Sequence, residues 1–194
     1  YIIGVLLGDG HISKDNKFIV LNTIDKDFAE NFASNIYKWV GIKVNIKERI
    51  KEDITENSSI YTGKLYKCKN QFKVQLSSKD ATIILKTKIN HIFNNEINLN
   101  NECKSSFLRG MFDSEASVFK NHYGIKFFNK KLNIINLVHI LLNDLGIQSN
   151  IYTTNREYGT LYSLGFYKKE KLIKFRDVIG FSIQRKQERL MSIR

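Results

Sequence analysis

Two acidic residues stand at matching places in the chain, each closing an apolar, small-residue run: Asp9 in Leu6-Leu7-Gly8-Asp9-Gly10 and Glu115 in Phe112-Asp113-Ser114-Glu115-Ala116. Gly4 and Gly8 are four apart, as are Gly110 and Ser114, so a helix over either run carries a stripe of very small side chains. Such stripes let two helix backbones approach closely. Glycine inside a helix costs roughly 1 kcal/mol, so two of them in one short helix imply a packing reason. Packed along those stripes, the two helices bring Asp9 and Glu115 together where they end. Carboxylates there meet the unfavourable end of the helix dipole and repel each other. Divalent cations between them remove both penalties, and Mg²⁺ held by two carboxylates beside a phosphate is what phosphodiester hydrolysis needs. Asp113, two residues before Glu115, projects elsewhere round its helix and is set aside as a ligand.

The elements that position these acids form a repeat. A helix over residues 1–9 leads to short strands at 11–13 and 17–23. From Asp25 to Val40, Phe28, Phe32, Ile36 and Trp39/Val40 recur at helical spacing, with Asp25 placed to cap the helix and Gly41 to end it. Strands at 44–50 and 70–76 follow, then a helix at 79–90, with the polar stretch 51–70 between the strands read as a long loop or extended hairpin. The order restarts after Asn101: a helix from about 104 to 114, strands at 117–120 and 123–129, a helix at 131–145, strands at 149–154 and 160–166, and a helix at 169–179. LNDLGIQSNIY at 142–152 echoes YKWVGIKVNIK at 37–47. Gly4 precedes Gly110 by 106 positions and Gly41 precedes Gly146 by 105. The chain is therefore read as α+β, a duplicated αββαββα unit with a first half at 1–102 and a second at 103–194. The halves are expected to be related by a pseudo-two-fold axis, which matches the approximate symmetry of duplex DNA.

Charge narrows the partner. The 194 residues hold 31 Lys plus Arg against 19 Asp plus Glu, a formal net charge of +12. Residues 1–102 contribute +3 and residues 103–194 contribute +9. An excess of that size points to a polyanion. The absence of proline and the abundance of Ile, Asn and Lys fit an A/T-rich coding sequence, and point to a mobile, organellar or archaeal gene. Cys68 and Cys103 offer neither a disulfide framework nor a CxxC metal knuckle. His11, His91, His122 and His139 are too scattered for zinc, although His11, next to the first motif, could reach a phosphate. GVLLGDG lacks the GKS/T of a nucleotide loop. No run approaches 18 apolar residues and the first residues lack the basic region of a signal peptide, so no membrane span is expected. The expected setting is intracellular: the cytoplasm or nucleoid of an archaeon or bacterium, or a eukaryotic organelle.

With YIIGVLLGDG at its start, the chain resembles a two-motif LAGLIDADG homing endonuclease of the monomeric kind known from archaeal introns and inteins. The signature corresponds to residues 2–10 and 108–116, and the resemblance covers nearly the whole chain. It implies a central packed helix pair flanked by two saddle-shaped antiparallel sheets that lie in the DNA major groove. It implies cleavage of both strands across the minor groove at a long asymmetric site, leaving short 3′ overhangs. The motif acids Asp9 and Glu115, with Gly8 and Ser114 beside them, would hold two or three Mg²⁺ ions, for which Mn²⁺ or Ca²⁺ could substitute in binding. Lys130 resembles the family's lysine near the scissile phosphate, and its first-repeat counterpart falls at 23–25, where no lysine stands. Lys120, Asn129, Asn22 and Thr23 are supporting candidates. Ala116 departs from the usual motif glycine and implies a different exit turn.

In the expected sheets, residues out of phase with the apolar ones face DNA. These are Asn45, Lys47 and Arg49 against Val44, Ile46 and Ile50; Gln71, Lys73 and Gln75 against Phe72, Val74 and Leu76; and, in the second half, Asn150, Tyr152, Thr154, Arg156 and Ser163. Asn and Gln can pair with adenine, and Arg or Lys with guanine. Lys168, Lys169, Lys171, Lys174, Arg185, Lys186 and Arg189 are read as phosphate contacts. Two other functions remain open on the same fold: an intron RNA maturase and a non-catalytic DNA-binding regulator.

Overall fold

The computed structural model describes residues 1–50, 70–94, 99–119, 123–157 and 159–193. Its first half runs α1 (Ile2–Leu7), β1 (His11–Ile12), β2 (Phe18–Thr23), α2 (Lys26–Val40), β3 (Ile46–Arg49), β4 (Gln71–Ser77) and α3 (Lys79–Phe93). The second repeats the order as α4 (Asn101–Glu115), β5 (Ala116–Phe119), β6 (Gly124–Asn129), α5 (Leu132–Asp144), β7 (Asn150–Arg156), β8 (Gly159–Phe166) and α6 (Lys169–Val178). A further helix, α7 (Gln184–Met191), follows. The two four-stranded sheets share one topology, β1-β2-β4-β3 and β5-β6-β8-β7, and every pairing in both is antiparallel. The stretch read as a loop at 51–70 falls outside the described residues except for its last position.

Each sheet buries one face. In the first, Ile19, Leu21, Val74 and Leu76 pack against Phe28, Phe32 and Ile36 of α2. In the second, Phe112 of α4 meets Phe127, Phe166 and Phe175 with ring centroids 5.3, 6.3 and 4.8 Å away in tilted pairs. Burying each such ring stabilises the fold by roughly 1.5–3 kcal/mol. Gly41 and Gly146 close α2 and the turn after α5 at φ 71° and 73°, the left-handed conformation that glycine adopts without strain.

The small-residue stripes are where α1 and α4 meet. A methyl group on Gly4 would overlap the Phe107 carbonyl oxygen, and one on Gly110 would overlap the Tyr1 carbonyl oxygen and lie 2.9 Å from the Val5 nitrogen. One on Gly8 would overlap the Ser114 side chain. Backbone lies against backbone where Gly4 meets Gly110, and Gly8 lets the Ser114 side chain approach one turn further on, which offsets the helix propensity lost to glycine.

Three expectations need correction. Asp25 precedes α2 but makes no capping bond; its carboxylate is taken by Arg185, and it is Thr23 Oγ1 that accepts from Asp25 N, at 3.1 Å. Ile50 does not face the core, being 73% exposed. Helix α4 begins at Asn101, because Asn100 Oδ1 caps it by accepting from Cys103 N at 2.8 Å.

Candidate metal and nucleic-acid site

Both motif acids stand at the ends of the paired helices, by different routes. Helix α1 ends at Leu7, and the N–H groups of Gly8 and Gly10 both donate to the Val5 carbonyl, so Asp9 sits in the turn. A Cβ on Gly10 would lie 3.1 Å from the Val5 carbonyl oxygen and 3.2 Å from Leu6 Cα, so a larger residue would crowd that turn. Helix α4 instead runs through Glu115 straight into β5. Ala116 adopts φ −102° and ψ 151°, extended backbone open to any residue, and its methyl is buried. The departure from glycine at 116 therefore fits its surroundings.

The acids share one electrostatic environment. Burial pushes the Glu115 carboxyl above its ordinary value, and the charge on Asp9 pushes it further. Burial also raises Asp9, with Asp25 adding repulsion and Lys186 opposing it. A Cβ on Gly8 would lie 3.3 Å from Glu115 Cγ, which measures how closely the first motif borders the second acid. Both groups resist ionisation where they stand, and a cation between them would relieve that. Among the described residues no group of three or more His, Cys, Asp or Glu comes together. Two carboxylates leave most of an octahedral shell to water, backbone carbonyls or a ligand's phosphate oxygens, which is how Mg²⁺ is usually held.

Beside Glu115 lies an open cleft of about 370 Å³ lined by Gly8, Phe128, Asn129, Lys130, Lys131 and Leu161 among others. It gathers four of the expected site residues: Glu115, Gly8, Asn129 and Lys130. Lys130 is exposed, and Asn129 Oδ1 accepts from Lys131 N at 2.9 Å. Ser114 Oγ donates to the Gly110 carbonyl at 3.0 Å, a bond within its own helix. Matching the sheets strand for strand sets Asn22 opposite Phe128 and Thr23 opposite Asn129. The position of Lys130 is then taken by Ile24, which is exposed. Lys120 lies outside the described residues.

The exposed sheet faces carry the rest. Register puts Asn22, Lys73 and Lys47 in one row and Gln71 with Arg49 in the next; Gln75 stands beside Val20, and Asn45 precedes β3. In the second sheet Asn150, Tyr152, Thr154 and Arg156 share a face on the fully exposed edge strand β7. Ser163 has the right parity but is only 4% exposed, which corrects it from a base contact to a packed position.

The larger correction concerns α7. Lys186, expected on phosphate, is 5% exposed, and its Nζ donates to the Phe112 and Asp113 carbonyls at 3.1 and 2.5 Å. It supplies the positive charge that the C-terminal end of α4 favours, and burial lowers its pKa to about 8. Arg185 binds Asp25 through two bonds of 2.7 and 2.8 Å. Asp113 is buried, accepting from Tyr1 Oη at 2.9 Å and from Ser182 N and Oγ at 2.9 and 2.6 Å. Its carboxylate thus joins α4 to the first residue and to the C-terminal segment. Lys168 and Lys169 remain exposed. The spacing of Ile183, Lys186, Leu190 and Ile193 carried a helical signal for α7, but a lysine inside an apolar stripe reads from sequence as a break in it.

The LAGLIDADG-like domain model matches this chain twice, over residues 1–90 and 102–180. The chain belongs to the LAGLIDADG family. It is 32% identical over 171 residues to the uncharacterized protein MJ0314 of Methanocaldococcus jannaschii, covering 84% of this chain and 60% of that relative. It is 28% identical over 209 residues to MJ0398 of the same organism, covering 100% of this chain and 70% of the relative. Among solved structures, a mesophilic variant of the homing endonuclease I-DmoI superposes with a TM-score of 0.64 at 19% identity, over 92% of this chain and 86% of that one. I-DmoI in complex with DNA and Ca gives 0.63 at 18% identity, with the same coverage. Full-length DUF199/WhiA from Thermatoga maritima gives 0.59 at 19%, over 99% of this chain and 58% of that one. At these identities the likeness is one of fold. This LAGLIDADG chain is thus a two-motif member with both repeats in place.

Proposed function

We propose that this LAGLIDADG chain is a sequence-specific, divalent-metal-dependent endonuclease that cuts both strands of a long asymmetric DNA site. The observation that carries the reading is the meeting of Asp9 and Glu115 at the ends of the paired helices, each raised by burial and Glu115 further by Asp9. Such an arrangement costs stability unless a cation neutralises it. I-DmoI, which shares the fold, is solved in complex with DNA and Ca or Mn, and the acid pair here suits a centre that places cations against phosphate. The fold alone does not decide, since DUF199/WhiA shares it, so cleavage rests on these acids.

Asp9 and Glu115 would hold the ions, with the Gly8 and Ser114 positions beside them, and two to three Mg²⁺ would neutralise charge on the phosphate and activate the attacking water. Lys130 stands in the Glu115 cleft, where its ammonium can stabilise negative charge building on one scissile phosphate. Asn129 and Thr23 hold the backbone that starts α5 and α2 at the two sites. Asn22 and Lys73 sit on the sheet face beside them. Lys168, Lys169 and the other exposed basic side chains anchor the duplex by its phosphates.

Digestion of randomised duplex libraries with and without Mg²⁺, followed by sequencing of new ends, tests the reading. Metal-dependent ends at one long motif, with short 3′ overhangs, are expected. Absence of cleavage, together with metal-independent retention of a structured intron RNA, would replace it with the maturase reading.

A further inference from the structure

The two exposed sheet faces can be compared position by position, and their chemistry differs. The middle row of the first sheet is Asn22, Lys73 and Lys47. The same row of the second sheet is Phe128, Ser163 and Tyr152. One row further, Gln71 and Arg49 correspond to Leu161 and Thr154. The middle row thus exchanges an amide and two ammonium groups for two rings and a buried hydroxyl, while Asn150, Thr154 and Arg156 keep hydrogen-bonding groups along the edge strand β7.

These rings are placed together. Tyr167 lies over Gly124 and Gly165: a Cβ on Gly124 would overlap its ring, and one on Gly165 would come within 2.8 Å of Tyr167 Oη and 3.1 Å of Cζ. Two glycines on one face of neighbouring strands, diagonal to each other in the register, therefore make room for the ring to lie on the sheet. Lys126 Nζ stands 5.4 Å from the Tyr152 ring centroid and 5.9 Å from that of Phe128, close enough for cation–π attraction. Tyr152 and Tyr167 remain 40% and 38% exposed, and Phe119, on the same face, 36%. The patch runs into the catalytic cleft, since Phe128 and Leu161 line it with Glu115 and Lys130. It also belongs to the half that carries +9 of the chain's +12 charge. Whatever covers these rings is therefore a polyanion with an apolar feature, continuous with the strand being cut.

We propose that the second sheet recognises its half of the target through apolar contact between Phe128, Tyr152 and Tyr167 and the 5-methyl groups of thymines, whereas the first sheet reads its half by hydrogen bonds. This rests on the duplex-cleaving function proposed above. The thymine methyl is the apolar group that the base edges present in the major groove, and aromatic rings are among its natural partners. Ser163, between Phe128 and Tyr152 on that face, is only 4% exposed and cannot compete as a reader. Lys126 stands among the rings, between Gly124 and Phe128 along β6, so its ammonium must swing off them to a phosphate when DNA binds. The consequence is a bipartite target: a thymine-rich half on the second sheet, and a half of mixed sequence on the first.

The test alters the DNA and leaves the protein unchanged. A duplex site selected in Ca²⁺ is remade with deoxyuridine for thymine in one half at a time, which removes methyls and keeps every hydrogen bond. Affinity is expected to fall by about tenfold or more for one half and by less than about twofold for the other. 5-Iododeoxyuridine at the sensitive positions is expected to photo-crosslink to peptides containing Phe128, Tyr152 or Tyr167. Tyr152→Ala, on the exposed edge strand, is expected to shrink the deoxyuridine effect. Equal sensitivity in both halves, or crosslinks on the Lys73 sheet, overturns the inference while leaving the endonuclease reading intact. Tighter binding of single strands than of duplex overturns it in favour of base stacking. Selection of no duplex at all removes the functional reading, and this inference with it.

Discussion

Burial raises the pKa of both Asp9 and Glu115, and Asp9 adds repulsion at Glu115, so without a cation the motif acids oppose the fold that presents them. A carboxyl raised in the folded state favours folding below its unfolded pKa, about 4, and loses that contribution as pH climbs through the folded value. Metal-free protein is therefore expected to lose stability as pH rises above about 4. Asp9→Asn or Glu115→Gln flattens that loss and raises the metal-free Tm by about 2–4 °C, equivalent to about 1 kcal/mol. Mg²⁺ raises the Tm of the wild type and not of the variants; thermal melts at several pH values check both. Gly4 makes a separate demand. Gly4→Ala drives a methyl into the Phe107 carbonyl oxygen, a backbone atom that cannot turn aside, and is expected to cost about 3 kcal/mol in urea unfolding. A neutral result there would mean that the helices can move apart.

At the scale of elements, α7 ties the two halves together. Ile183, at its start, is buried in the core of the first half, while Leu190 and Ile193 belong to the core of the second. Arg185 and Gln184 reach Asp25 and Asp27 at the start of α2, and Lys186 caps α4. Ile183→Ala is expected to destabilise the whole molecule by about 2–4 kcal/mol in one cooperative transition, since it empties a position that the last part of the chain supplies to the first core. An early, separate transition of the first half would contradict that. The repeated elements were legible because apolar residues recur at helical and strand spacing and Gly41 and Gly146 end matching helices. The acid pair was legible because the small-residue stripes repeat 106 positions apart. Burial of Lys186 and Ser163 was not legible, because it depends on which segments cover them. Nor was the capture of Asp25, since Arg185 lies 160 residues away. The polarity difference between the sheet faces emerged only when strand register paired Asn22 with Lys73 and Phe128 with Ser163.

Across the whole molecule, pseudo-symmetry is broken where it bears on chemistry. Lys130 lines the cleft beside Glu115, and Ile24 takes its place in the other half. The two strands of a target are therefore expected to be cut at different rates, with nicked circles accumulating from a supercoiled plasmid before linear product. Lys130→Met is expected to slow one strand by roughly 10²-fold, leaving the other within a few-fold. Equal slowing of both strands would show that Lys130 serves binding and not one phosphate.

The convergence of Asp9 and Glu115 on one metal-dependent reaction is tested most directly by single-turnover cleavage of a selected duplex in Mg²⁺ by the wild type, Asp9→Asn, Glu115→Gln and the double variant. Each single variant is expected to lose at least about 10³-fold in the rate of double-strand cleavage, the double variant little more than either, and all of them to keep duplex affinity, because residues that act as a unit do not contribute additively. Undiminished cleavage by the double variant, or cleavage by the wild type in excess chelator, would contradict it.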